Sequence, residues 1–169
     1  GDDLSANDEC TQCHGQLVAG PATDAQKAPG GAGVDTNGDS VNTDAQVGAH
    51  QIHLNPTMSK VVACVACHTV PATITAAGHI DSALPAELNW SSLATANSTT
   101  PTNCATTYCH DGAALKNGWD GGTLAPTWTD TAFIQGTVAD CDNCHGYPPA
   151  GSHSTNTNCV GCHDVMNPD

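Results

Sequence analysis

All ten cysteines of this 169-residue chain fall into five pairs, and a histidine follows the second member of every pair. Four pairs enclose two residues: Cys10 and Cys13 before His14, Cys64 and Cys67 before His68, Cys141 and Cys144 before His145, and Cys159 and Cys162 before His163. The fifth, Cys104 and Cys109 before His110, encloses four. C-x-x-C-H is the covalent attachment signal of a c-type haem: two sulfurs form thioethers and the adjacent imidazole reaches the iron. Vinyl positions on the porphyrin are fixed, so in the longer motif the loop Ala105 to Tyr108 has to bulge between its anchors, with unchanged chemistry. One such motif arises by accident; five with no cysteine left over do not. A disulfide scaffold would also use an even cysteine number, but it demands no histidine after each pair. Structural zinc favours C-x-x-C pairs matched two by two, and five is odd. The expectation is five covalently bound haem c groups, with His14, His68, His110, His145 and His163 as proximal ligands.

Composition points the same way. Leu, Ile, Val and Phe make up roughly 14% of the chain, which with a net charge of −14 lies in the range of disordered sequences. Something other than aliphatic side chains has to supply the apolar centre, and a porphyrin is a large flat hydrophobe. The expected fold is mostly irregular coil with short α-helices around the haem-binding motifs, little or no β-sheet, and a core of closely packed haems. Residues 1–169 read as a single pentahaem domain, with a short helix capped near Ser5 and a loop without periodicity over residues 20–47. About 34 residues per haem are too few to wrap each one separately, so neighbouring haems are expected in contact.

Nine histidines are present, and the four outside the motifs are His50, His53, His79 and His153. His50 and His53, in the stretch GAHQIHL, stand three apart and so share one side of a helical turn. Since His68 already holds its own iron, the simplest account gives each of the two a different haem. A lone histidine is often only a polar surface group, but here none is wasted if all four are distal ligands. Five irons with two histidines each would need ten, so one sixth ligand is missing. Met58 is the better placed thioether, since Met166 sits too near His163; a vacant or externally ligated iron is the alternative. Trp119 and Trp128 read as covers for haem faces or edges.

The segment DTNGDS offers Asp35, Asn37 and Asp39 at the spacing that opens a calcium loop. Ser40 stands where such a loop wants glycine and Gln46 where it wants glutamate, which favours a solvated turn over calcium. Thioether attachment is completed outside the cytoplasm, so the chain is expected to be secreted, extracellular or periplasmic, with its signal peptide removed. No apolar run approaches a membrane span. Lys27, Lys60 and Lys116 are the only basic side chains against seventeen acidic ones, which argues against nucleic acid and anionic membrane surfaces as partners.

The stretches GAHQIHL (48–54), CVACHTVP (64–71), GHID (78–81), the YCH of the long motif (108–110) and CDNCHGYPP (141–149) resemble the multihaem c-type cytochromes of the Geobacter type, which mix C-x4-C-H and C-x-x-C-H motifs. The resemblance implies secreted electron-transfer proteins with bis-histidine haems. The chain is similar also to cytochromes that assemble into extracellular conductive filaments, or nanowires. The partners this implies are other copies of the chain, redox cytochromes and extracellular electron acceptors. The leading expectation is therefore electron transfer rather than enzymatic catalysis. The runner-up is a multihaem reductase using one open iron on a small oxyanion or nitrogen compound. Against it, there is no C-x-x-C-K motif and no arginine, and the surface is acidic.

Overall fold

A computed structural model describes residues 9–56, 59–84, 86–91, 104, 107, 110 and 126–130. Of the expected haem-attachment cysteines, Cys109, Cys141, Cys144, Cys159 and Cys162 lie outside the described residues. So do the expected ligands His145, His153, His163 and Met58, the aromatic Trp119 and the helix expected near Ser5. Among the described residues, regular structure consists of two one-turn helices, α1 (Asp24–Lys27) and α2 (His50–Leu54), and two 3-10 turns, Glu9–Thr11 and Cys64–Ala66. No strand forms among them; Gly15 with Val34 and Gly30 with Gly33 pair only as isolated antiparallel bridges. The expected coil with short helices is what the described residues adopt.

The local reasons are legible residue by residue. At the second motif the Cys64 carbonyl accepts from both Cys67 N–H (3.1 Å) and His68 N–H (2.9 Å), which gathers both cysteines and the histidine onto one tight turn. Helix α1 interrupts the stretch expected to be plain loop. Its cause is a capping box: Gln26 N–H donates to the Thr23 hydroxyl (3.3 Å) while Thr23 N–H donates to the Gln26 side chain (2.9 Å). Helix α2 closes on Asn55 N–H bonded to Gln51 O at 2.8 Å, and Pro56 then prevents another turn.

Helices of four and five residues do not persist alone in water, and a side chain joins these two. The Gln51 amide of α2 donates to the carbonyls of Ala25 (2.9 Å), Pro29 (3.2 Å) and, more weakly, Ala28 (3.4 Å) at the C-terminal end of α1. It thereby satisfies carbonyls that a helix end leaves open. The aliphatic core is small. Val47 is the one large side chain fully buried among the described residues, with Ala28, Ala49, Leu54 and Ala66 around the edge of burial. Leu17, Val61, Val65, Val70, Ile74 and Ile80 are instead exposed, and each lies close in sequence to a motif or to a histidine outside the motifs.

Candidate functional site

Six histidines are described, and they come together as three separate pairs. His14 and His79 have ring centres 6.5 Å apart, His50 and His68 6.2 Å, and His53 and His110 6.0 Å. Every pair joins one motif histidine to one histidine outside a motif. The separations agree within half an ångström, whereas the angles between ring planes run from 21° to 86°. Direct aromatic packing would tie distance to angle. A common distance with free rotation is what one atom held between two rings produces. Two imidazoles bonded to one metal at about 2.0–2.1 Å each have ring centres about 6 Å apart.

The tautomer agrees with that geometry. His14 Nδ1 donates to Lys27 O (2.8 Å), His50 Nδ1 to Val47 O (2.7 Å) and His53 Nδ1 to Ala49 O (2.8 Å). His68 Nδ1 donates to Glu87 O and His79 Nδ1 to Ile74 O, both at 2.9 Å. A proton on Nδ1 leaves Nε2 as the free lone pair, and a backbone carbonyl on the far nitrogen is the usual orienting partner of a metal-bound histidine. Burial pushes the His50 and His110 pKa values down to about 4, the His50 value against the opposing bond to Val47 O. Neighbouring histidines add to the lowering: His68, His53 and His14 at His50, and His53 at His110. Both rings are therefore neutral at pH 7, the form that binds a metal.

Each ring is seated by a different piece of backbone. His14 depends on α1, whose last residue offers the Lys27 carbonyl. Gly15 follows at φ +81°, where a β-carbon would fall on the Gln26 carbonyl, and its N–H and C=O pair with Val34. His50 and His53 depend on the turn just before α2. The Val47 carbonyl serves both the ring and the backbone N–H of His50, and the Ala49 carbonyl does the same for His53. Trp128 closes this region. Its indole N–H donates to Ala45 O at 2.8 Å, its ring stands edge-on to His50 at 4.8 Å, and it lies nearly parallel to His53 at 6.1 Å. In the long motif, Thr107 N–H bonds to Cys104 O and His110 N–H to Thr107 O, each at 3.0 Å. The buried Thr107 hydroxyl adds a second bond to Cys104 O at 2.9 Å.

All five described cysteines (Cys10, Cys13, Cys64, Cys67 and Cys104) are free of disulfides. The other five expected anchors, Cys109, Cys141, Cys144, Cys159 and Cys162, are assigned by motif spacing alone. Burial raises the thiol pKa values of Cys64, Cys67 and Cys104, with Asp24 adding to it at Cys64 and the Cys104 and Cys64 thiols at Cys67. These repulsions arise because the second motif lies near both the long motif and α1. Among the described residues the cysteines and histidines form no cluster of three or more that could hold a zinc ion. The described sulfurs are left as thiols, and each lies in a motif with a histidine of one of the pairs, which is the donor set a c-type haem requires.

Gln51, Thr107 and the carbonyls of Lys27 and Glu87 carry the site without being singled out by the sequence. Only Gln51 left a trace there, as the polar residue between His50 and the apolar Ile52. The acidic loop also differs from expectation. Asp35, Asp39 and Asp44 bring carboxylate oxygens within 4.8 Å of one another, whereas Asn37 contributes its backbone N–H to Asp35 Oδ1 at 2.8 Å.

Comparison with protein families matches residues 103–145 to the Geobacter CxxxxCH...CXXCH motif. The match spans both the long motif, Cys104 and Cys109 with His110, and a short one, Cys141 and Cys144 with His145. Comparison with curated proteins and with solved structures finds no match. Among the described residues no helix is long and apolar enough to cross a membrane. Haem-attachment motifs of this kind imply covalently bound haem c and support electron transfer, and over the matched residues the chain is similar to multihaem c-type cytochromes of the Geobacter type.

Proposed function

We propose that the chain is a secreted pentahaem electron carrier in which each of three haems is clamped by one motif histidine and one distant histidine. The pairs are His14 with His79, His68 with His50, and His110 with His53. Attachment of these haems falls to Cys10 and Cys13, Cys64 and Cys67, and Cys104 and Cys109. By the same motif, Cys141 and Cys144 attach the haem at His145, and Cys159 and Cys162 the haem at His163. The observation that carries this reading is the shared separation of 6.0–6.5 Å within the three pairs, each motif ring meeting one outside a motif. When bound, haem supplies a one-electron iron couple. The chain supplies imidazoles, five of them oriented by a backbone carbonyl on Nδ1, Trp128 against two of the rings, and exposed aliphatics for porphyrin faces to cover. Residues His50 and His53 are about 4.5 Å apart along the α2 axis, so one helical turn would bring two cofactors close together.

The test is a count. Mass spectrometry is expected to find the polypeptide plus five haems, and low-spin spectra to dominate the oxidised protein. A polypeptide of bare mass, or a mainly high-spin spectrum, would sink the reading.

With three pairs assigned, His153 alone remains for the two C-terminal motifs. The iron without a second histidine therefore belongs to the haem at His145 or the haem at His163, where Met58 is the thioether proposed to complete it. The reductase alternative needs that iron open. Carbon monoxide added to the reduced protein decides: a shift for one haem in five favours the open iron, and no shift excludes it. Assembly into an extracellular filament of identical copies is supported by the family resemblance. Electron microscopy of the purified protein is expected to show polymers; monodisperse monomers at high concentration would remove that part.

A further inference from the structure

We infer that Asp35, Asp39 and Asp44 form a calcium site, separate from the haem sites, that braces the turn holding His50 and His53.

Two independent observations meet at this loop. The three carboxylates bring oxygens within 4.8 Å of one another, the span across an ion whose oxygen bonds are about 2.3–2.6 Å long. Asp35 is also 4% exposed, and its Oδ2 is buried with no hydrogen-bond partner. Its other oxygen is fully used, accepting from Asn37 N–H and Asp39 N–H at 2.8 Å each. A buried carboxylate oxygen without a donor is rare enough to require a cause, and a bound cation is one. Neither described lysine, Lys27 or Lys60, supplies it: among the described residues none of the three carboxylates makes an ion pair.

The ligand chemistry selects the ion. Three carboxylates and no nitrogen or sulfur suit a hard divalent cation. The sequence DTNGD bends sharply at Gly38, φ +92°, and Asp39 is exposed, which leaves one side of the site open to water. Calcium accepts such an irregular, partly hydrated shell, whereas magnesium demands a tight octahedron at about 2.0–2.1 Å.

The consequence runs through Asp44. Its Oδ1 accepts from Gln46 N–H and its carbonyl from Gly48 N–H, each at 2.8 Å. Those bonds shape the turn whose Val47 and Ala49 carbonyls orient His50 and His53. An ion on Asp44 would stiffen that turn from outside the haem sites.

Calorimetric titration of calcium chloride into the chelator-stripped, haem-loaded full chain is expected to show one saturable site, with a Kd at or below the ~10⁻⁴–10⁻³ M range of extracellular calcium modules. Asp39→Asn, at an exposed side chain, is expected to weaken binding by about tenfold or more with haem content unchanged. Calcium should raise the thermal midpoint of the wild type and leave that of Asp39→Asn nearly unmoved. Asp44→Asn is a second variant, expected to weaken binding in the same way. Absence of saturable binding, binding by both variants equal to the wild type (which would place the ion on haem propionates), or equal affinity for magnesium chloride would each overturn the assignment.

Discussion

The side-chain amide of Gln51 donates to the carbonyl of Ala25 at 2.9 Å, and through that bond the helix bearing His50 and His53 is tied to the helix that seats His14. One residue thus links three histidines that belong to three different pairs. Replacing Gln51 with Leu keeps its bulk and removes the donor, leaving the α1 carbonyls short of a partner. The expected cost is about 1–2 kcal/mol in stability. The haem at His14 should be disturbed more than the others, read as a shift in one midpoint of a redox titration.

His79→Ala is expected to convert one haem from six-coordinate low-spin to high-spin while the haem count by mass stays that of the wild type. Added imidazole should restore the low-spin spectrum. The same substitution at His50 or His53 should each convert one different haem. If a single variant converted two haems, or none, the pairing would be wrong.

Gly48 has φ +42°, and a β-carbon there would collide with the Trp128 indole. Gly38 has φ +92° with nothing within 4 Å of its β-position. Gly38→Ala should therefore carry only the backbone strain of a left-handed residue, about 1–2 kcal/mol. Gly48→Ala should cost more than that, because Trp128 has to leave its place over His50. The difference between the two denaturation midpoints measures the indole's contribution.

Trp128→Phe keeps an aromatic ring and loses the N–H bond to Ala45 O, an expected loss of about 0.5–1.5 kcal/mol. Trp128→Ala also opens His50 and His53 to water. Solvent exposure is one of the levers on haem potential, so redox titration should show two midpoints moving in the Ala variant and little movement in the Phe variant.

Thr107→Val preserves shape at a buried position and removes the hydroxyl bond to Cys104 O. The expected loss is about 1 kcal/mol, with haem attachment intact by mass. A drop in haem content would instead mean that Thr107 is needed to present the long motif for attachment.

Some of this was written in the chain as read from end to end. Cysteine pairs closed by histidine are local chemistry, so Cys64, Cys67 and His68 spell a haem-attachment motif by spacing alone. His50 and His53, three apart, announce a shared helical turn, and α2 is that turn. The scarcity of aliphatic residues matches the small aliphatic core around Val47 among the described residues. The capping box of Thr23 and Gln26 was also present as a local signal, though hidden by the glycine-rich stretch around it.

What folding alone decided is which ring meets which. His14 meets His79 and His53 meets His110 across long stretches of chain, because a ligand pair needs two backbone segments on opposite sides of one small gap, and no periodicity encodes that. The same holds for Gln51 reaching α1 and for Asp44 joining Asp35 and Asp39. Covalent attachment is specified by neighbours in sequence, whereas axial pairing and carboxylate grouping depend on distances that exist only after the loops have closed.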